Sequence, residues 1–242
     1  VEGGLMGETV DGGLAEFCRA RAHQLVKIPD GVSFADAAAL PVAFGTAHRM
    51  MFTNGGISKG ERCLVLGASG GVGSCCVILA KMAGAEVVAA TSSEEKGKRL
   101  REMGADHIID YINDDFTKEI WKLYEKPHRR TFDGGVNMGV NFTGGDTWVP
   151  SFRCLQRRGL LVTCGATAGF DPKTDLRFIW TFELKILGSN SWAREDLEAL
   201  LGYIQDGKMK MPIDNVFPLE EAREALRLIE DREVIGKVIV QP

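Results

Sequence analysis

No apolar run in this chain is long enough to cross a bilayer as a helix, so a helical membrane span is not expected. Paired cysteines are missing too. The six cysteines stand singly or as the adjacent Cys75-Cys76, with no Cys-x-x-Cys, so a zinc knuckle is unsupported and reduced thiols in a cytoplasmic compartment are expected. There is no excess of positive charge. The net charge is −4 and the one basic cluster, His128-Arg129-Arg130, is short, which argues against a general nucleic-acid surface. The opening Val1-Glu2-Gly3-Gly4 has neither the basic start nor the apolar core of a signal peptide, and it lacks an initiator Met. None of the three tyrosines has a Lys four residues on (Asp115, His128 and Gly207 stand there), so a Tyr–Lys catalytic pair at that spacing is absent. The four histidines are scattered, and a Ser–His–Asp hydrolase built around Ala68-Ser69-Gly70 is set aside.

What the chain does have is a glycine turn between an apolar strand and an apolar helix. Leu64-Val65-Leu66-Gly67-Ala68-Ser69-Gly70-Gly71-Val72-Gly73 runs into Ser74-Cys75-Cys76-Val77-Ile78-Leu79-Ala80. Such a turn presents unpaired helix N–H groups and the positive end of the helix dipole, the usual seat of a dinucleotide pyrophosphate. The Gly-x-Gly-x-x-Gly spacing is met with Ala68 first, then Gly70 and Gly73. A tight strand–helix turn alone explains a lone motif, but here Glu86-Val87-Val88-Ala89-Ala90 follows as a second strand, completing a unit of about thirty residues.

At 242 residues the chain has room for one large or two small domains, and its 45% apolar and 26% charged content is that of a globular protein. Alternation over Gly12–Ala20 reads as a strand, and Gln24-Leu25-Val26-Lys27-Ile28 as another, closed by Pro29-Asp30-Gly31. Ser33 reads as the N-cap of a helix, with Asp36 completing an imperfect capping box. Strands are then expected at Cys63–Leu66, Glu86–Ala90, His107–Asp110, Gly134–Asn141, Leu160–Cys164 and Lys185–Gly188. Helices are expected at Val72–Ala83, Glu95–Met103, Phe116–Tyr124, Trp148–Leu155 and Arg194–Asp206. This alternation implies an α/β fold, a doubly wound parallel Rossmann sheet of about six strands. A helix over Leu219–Glu230 and a strand over Gly236–Gln241 end the chain.

The end of the second strand bears on the choice of nicotinamide cofactor. An Asp or Glu there accepts from the ribose 2′-OH and selects NAD, whereas its absence leaves room for a 2′-phosphate. Here the strand runs into Thr91-Ser92-Ser93-Glu94-Glu95-Lys96. Ser92, Ser93 and Lys96 can donate to a phosphate, so NADP(H) is favoured over NAD(H). Ser93 is equally suited to cap the next helix, and the two roles are compatible.

Gly13-Leu14-Ala15-Glu16-Phe17, Val26–Gly31, Ala37-Ala38-Ala39-Leu40-Pro41, Thr46-Ala47, Gly67–Gly73, Gly104-Ala105-Asp106 and Gly236-Lys237-Val238 follow one another as they do in the medium-chain dehydrogenase/reductase superfamily. The chain resembles its quinone oxidoreductase and zinc-type alcohol dehydrogenase branches over essentially its whole length. The resemblance implies that most of an N-terminal GroES-like catalytic domain lies outside these residues. It divides the chain into residues 1–40 (the last part of that domain), 41–192 (the Rossmann domain) and 193–242 (helices and a strand returning to the catalytic domain). Remnants of the GroES-like β domain are therefore expected at both ends. The position of a catalytic zinc-binding Cys, four residues before Thr46, is Val42, so no catalytic zinc is expected here.

By the same resemblance Thr46 lies beside the nicotinamide, and Ser69, Gly70, Gly71 and Val72 line the pyrophosphate. Ser92, Ser93 and Lys96 hold the adenosine end, while Asn141, Thr143 and Gly144 lie near the ribose or adenine. Gly165, Ala166 and Thr167 follow the fifth strand, and Leu187, Gly188 and Ser189 approach the nicotinamide. Lys237 is a distant phosphate or ribose contact, or simply a surface lysine. The implied function is NAD(P)H-dependent hydride transfer to or from a quinone, enone or alcohol/carbonyl substrate, in a homodimer or homotetramer pairing through the sixth strand. The alternative is a non-catalytic nucleotide-binding module that self-associates.

Overall fold

The computed structural model describes residues 6–242. The reading of the chain's opening, Val1-Glu2-Gly3-Gly4, lies outside the described residues.

Short helices α1 (Phe34–Ala39) and α2 (Gly45–His48) lead into the sheet, and α2 continues through the wide helical turns Arg49–Asn54. Then come β1 (Arg62–Val65), α3 (Gly71–Met82), β2 (Glu86–Thr91), α4 (Glu94–Glu102), β3 (His107–Asp110) and α5 (Phe116–Tyr124). The second half runs β4 (Val136–Val140), α6 (Trp148–Cys154), β5 (Leu155–Thr163), α7 (Leu176–Phe182), β6 (Lys185–Gly188) and α8 (Arg194–Gln205). A parallel ribbon of β7 (Ile213–Pro218) and β8 (Lys237–Gln241), joined through α9 (Ala222–Glu230), completes the described chain.

The main sheet has six parallel strands in the order β3-β2-β1-β4-β5-β6. Alternate residues of each strand feed two cores. Cys63, Val65, Val87, Ala89, Met138 and Val140 pack towards α3 and α8, together with Leu100 of α4. Leu64, Leu66, Val88, Ala90 and Leu161 pack the other way, towards Ile120 of α5, Phe152 of α6 and the partly buried Phe178 of α7. Both faces are covered, so the central strands read as continuous apolar runs.

The N-terminal strands expected at Gly12–Ala20 and Gln24–Ile28 do not form. The first stretch is bends and irregular chain, and Ala22–Gln24 makes a single tight helical turn. Among the described residues no strand pairs with either stretch, and alternation without a ladder partner leaves the backbone groups to solvent. The sixth-element helix ends earlier than expected: β5 begins at Leu155, and Arg158, with φ of 63°, bends the strand so that its register to β4 shifts between Val136 and Met138. Helix α7 and strand β7 were not expected from the sequence, and the helix expected over Leu219–Glu230 is a tight turn at Leu219–Glu221 followed by α9.

Ser33 does cap α1. Its Oγ accepts from the Asp36 N–H at 3.0 Å and donates to Asp36 Oδ2 at 2.6 Å. Ser33→Ala should lower stability by about 1 kcal/mol, read as a shift in the urea midpoint, with Ser33→Thr, which keeps the hydroxyl as both donor and acceptor, close to wild type.

Between α1 and α2 the helical path breaks. Pro41 has ψ of 152° and Val42 sits at φ 65°, ψ −76°, while its neighbours Leu40, Ala43 and Phe44 are buried. Those anchors hold a β-branched residue in a conformation it would otherwise leave.

Candidate nucleotide-binding site

The sheet order reverses between β1 and β4, and α3 leaves β1 on one face while α6 leaves β4 on the other. A crevice at such a switch point, at the carboxyl ends of the strands, is where open α/β sheets bind ligands. The glycine turn stands at this point. Leu66 N–H donates to the Val140 carbonyl at 3.1 Å and Ala68 N–H to the Ala90 carbonyl at 3.0 Å, which ties the turn to both neighbouring strands.

Each glycine has a separate reason. Gly67 adopts φ of +62°. A Cβ on Gly73 would stand 2.2 Å from the Gly67 carbonyl oxygen and 2.7 Å from Ala68 Cα, so the first turn of α3 packs backbone to backbone on the loop. By contrast, a Cβ on Gly70 would come no closer than 3.4 Å to protein, and on Gly71 no closer than 3.9 Å. Those two glycines leave open space beside the helix start. Gly70 is the N-cap without a side-chain cap, so the first N–H groups of this 12-residue helix have no intrahelical acceptor. Open space, free donors and a dipole end fit a pyrophosphate.

Around the turn the structure gathers several of the residues singled out from the sequence. The ring of Phe142 and Thr143 Oγ1 lie against Gly67. Thr167 N–H donates to the Phe142 carbonyl at 3.2 Å and Ala168 N–H to the Thr143 carbonyl at 2.7 Å, bringing Gly165, Ala166 and Thr167 beside the β4 loop. Ser69 lies in the turn itself. Ser92 and Ser93 stand half-buried just past β2, and Ser93 Oγ accepts from the Lys96 N–H at 3.3 Å. Lys96 Nζ donates to the Arg232 carbonyl at 3.1 Å, which places the loop before β8 over the end of β2. Lys237 acts electrostatically on Cys75, so it stands near the first turns of α3, where burial pushes the Cys75 thiol up and the lysine partly offsets it.

The remaining candidates have these surroundings. The Asn141 amide is wholly engaged: Oδ1 accepts from Thr143 N–H and Gly144 N–H, both at 3.0 Å, and Nδ2 donates to Thr147 Oγ1 and Ser151 Oγ. It shapes the β4 loop and has no donor left for a ribose. Thr46 is buried on α2. Leu187 packs partly buried in the α3-side core and Gly188 is exposed. Ser189 accepts from Asn54 Nδ2 at 3.0 Å, joining the end of β6 to the α2 helical turns.

Residues 67–71 satisfy Gly-x-Ser-x-Gly, so it is the geometry and not the spacing that sets a hydrolase elbow aside. No histidine among the described residues hydrogen-bonds Ser69. Buried His48 instead gives its Nδ1 to Asp196 at 2.8 Å. That carboxylate, 2% exposed, also accepts from Thr53 Oγ1 at 2.6 Å, Ala193 N–H at 2.8 Å and Arg49 at 3.3 Å. Burial alone would raise the Asp196 pKa, but these donors outweigh it and hold the carboxyl below the usual Asp range. The network clamps α8 to α2 and has no signal in the sequence: Asp196 lies 148 residues from His48 and no spacing links them.

Burial pushes the thiols of Cys63 and Cys154 up to about 12 and that of Cys164 to about 11, so none of these is a nucleophile near neutral pH. Among the described residues no group of three or more His, Cys, Asp or Glu side chains is placed to hold a metal ion, and no helix is long and apolar enough to cross a membrane.

The fold and its switch-point turn define an α/β domain of the dinucleotide-binding class. The model of a family described as zinc-binding dehydrogenase matches residues 71–206, and the chain belongs to this family, within the medium-chain oxidoreductases. It is 34% identical over 239 residues to acryloyl-coenzyme A reductase of Sulfurisphaera tokodaii, covering 97% of this chain and 67% of that protein. A solved NAD-dependent alcohol dehydrogenase matches with a TM-score of 0.88 and 32% identity, over 99% of this chain and 68% of the other. The 2-octenoyl-CoA carboxylase reductase CinF, solved with NADP and 2-octenoyl-CoA, matches with a TM-score of 0.82 and 32% identity, over 96% and 55%. The chain thus spans about half to two thirds of the length of these relatives.

Proposed function

We propose that this chain is the cofactor-holding part of an NADP(H)-dependent reductase acting on a carbonyl-activated double bond, an enone, quinone or enoyl thioester. The observation that carries the reading is the glycine turn with open space at Gly70 and Gly71, followed by a second strand whose end offers Ser92, Ser93 and Lys96 and no acid before Glu94. When bound, the nicotinamide supplies the hydride. The first turn of α3 holds the pyrophosphate, and Thr143 with Gly165–Thr167 walls the crevice. Ser92, Ser93 and Lys96 face the adenosine end, and Arg232, an exposed residue in a left-handed turn whose backbone carbonyl accepts from Lys96, offers a second cation from the neighbouring loop. Relatives bearing the names acryloyl-CoA and crotonyl-CoA reductase favour an enoyl thioester among the acceptors.

The division at residues 40 and 192 belongs to this reading: residues 41–192 hold the cofactor and the β7–β8 ribbon returns to the substrate side. The free thiols suit a reducing compartment such as the cytoplasm. One observation favours self-association, the basis of the alternative reading as a non-catalytic module: among the described residues β6 is a sheet edge with no outer partner strand, and its Lys185, Ile186 and Gly188 are exposed, open to a second copy.

Titration with NADPH and with NADH, followed by nucleotide fluorescence, tests the cofactor. NADPH should bind more tightly, and Arg232→Ala should weaken NADPH about tenfold while leaving NADH unchanged, about 1.4 kcal/mol for one charge-assisted contact. Preference for NADH overturns the assignment of the adenosine end.

A further inference from the structure

On the face of the sheet opposite α3, a cavity of about 210 Å³ opens between α5, α6 and α7. Its walls are aromatic: Trp121, Phe152, Phe178 and Phe182. Its rim carries Lys126 and Arg153. The Lys126 ammonium stands 5.0 Å from the centre of the Trp121 ring, and the Arg153 guanidinium 5.7 Å from that of Phe178. No carboxylate among the described residues ion-pairs with either cation. Asp175 feels Arg153 at longer range and is itself held by Arg177 through two hydrogen bonds.

Size and chemistry narrow the occupant. A dry apolar cavity of about 150 Å³ accepts benzene, so this one has room for a six-membered aromatic ring and a small polar group. The ring belongs on the aromatic floor, edge or face against Trp121 and Phe178. The polar group then lies at the rim, where two unpaired cations favour an anion and the Arg153 fork matches a carboxylate. Arg153 is also well placed to stay there, because its own carbonyl accepts from Trp121 Nε1 at 3.0 Å.

We propose that this cavity is a second ligand site, separate from the nucleotide crevice, that takes a small aromatic carboxylate. The site rests on α5, α6 and α7 and does not depend on the assignment of the cofactor.

Calorimetric titration of the chain with benzoate and with the neutral benzamide tests it. Benzoate should bind saturably, one per chain. In the double variant Lys126→Gln/Arg153→Gln, benzoate should bind at least tenfold more weakly while benzamide is unaffected. Both substituted side chains are exposed, so the variant should melt like wild type. Phe182→Trp, which adds bulk to the wall, should weaken both probes. NADPH affinity should be the same in the charge variant and in wild type. Absence of saturable benzoate binding overturns the proposal, as does equal affinity in the charge variant. Competition between benzoate and NADPH would place the anion in the crevice and overturn it equally.

Discussion

Gly73→Ala should lower stability by about 3 kcal/mol and abolish nucleotide binding, a large effect for one added methyl group. The added carbon meets the Gly67 carbonyl oxygen at 2.2 Å and the Ala68 backbone at 2.7 and 2.9 Å. Those are main-chain atoms, and they are fixed by hydrogen bonds to β2 and β4 through Ala68 N–H and Leu66 N–H. Neither side can give way as a flexible side chain does. The first turn of α3 must move off β1, and its N–H groups leave the crevice with it. For a domain of this size the loss corresponds to a fall of about 6–12 °C in melting temperature. Gly70→Ala is the control: its Cβ meets nothing closer than 3.4 Å, so it should fold normally and lose affinity only through crowding of the ligand. Thermal melts and NADPH titrations of the two variants, side by side, check both statements.

Asp196→Ala should cost about 3–5 kcal/mol at pH 7, because it leaves the buried His48 without its partner and takes the shared acceptor from donors on both helices. Thr53 Oγ1, Ala193 N–H and His48 Nδ1 all lose their partner at once, and α8 loses its tie to α2. The pH dependence follows from the lowered carboxyl. A group whose folded pKa is depressed contributes stability that is complete above its unfolded value, about 3.9 for Asp, and is lost as pH falls through the folded one. The gap between wild type and variant in urea melts should therefore be full at pH 5–7 and narrow below about pH 4. An equal gap at pH 7 and pH 3 would mean that shape, not charge, carries the clamp.

The sheet was legible because each of its elements announces itself locally. Strands β1 and β2 are apolar runs closed by Gly or Ser, Asp115 and Ser93 cap the helices after β3 and β2, and Gly104 with φ of +113° ends the turn after α4. The glycine turn was legible for the same reason: the constraints on Gly67 and Gly73 arise within a few residues. Helix α7 was not, because Leu176–Phe182 is a short segment, apolar at all but Arg177 and Thr181, in which strand and helix look alike. The short N-terminal strands were misread because a ladder needs a partner that alternation cannot reveal. The Asp196 network and the approach of Arg232 to Lys96 were invisible, since both join residues more than a hundred positions apart. Asn141 was found as a position, but only its contacts show that it builds the loop.

The seam between β1 and β4 has a consequence for how the chain comes apart. Every other neighbouring pair in the sheet is closed by one local crossover, whereas this pair joins residues such as Arg62 and Asn137, 75 positions apart. Closing so long a loop is the slowest kind of pairing, so the two three-stranded halves are natural cooperative units and their joint is the last to zip and the first to part. The turn at Gly67–Gly73 belongs to one half and Thr143 to the other. A dinucleotide lying across both acts as a staple over the fault line, and its binding energy is then felt as resistance to splitting as much as to unfolding.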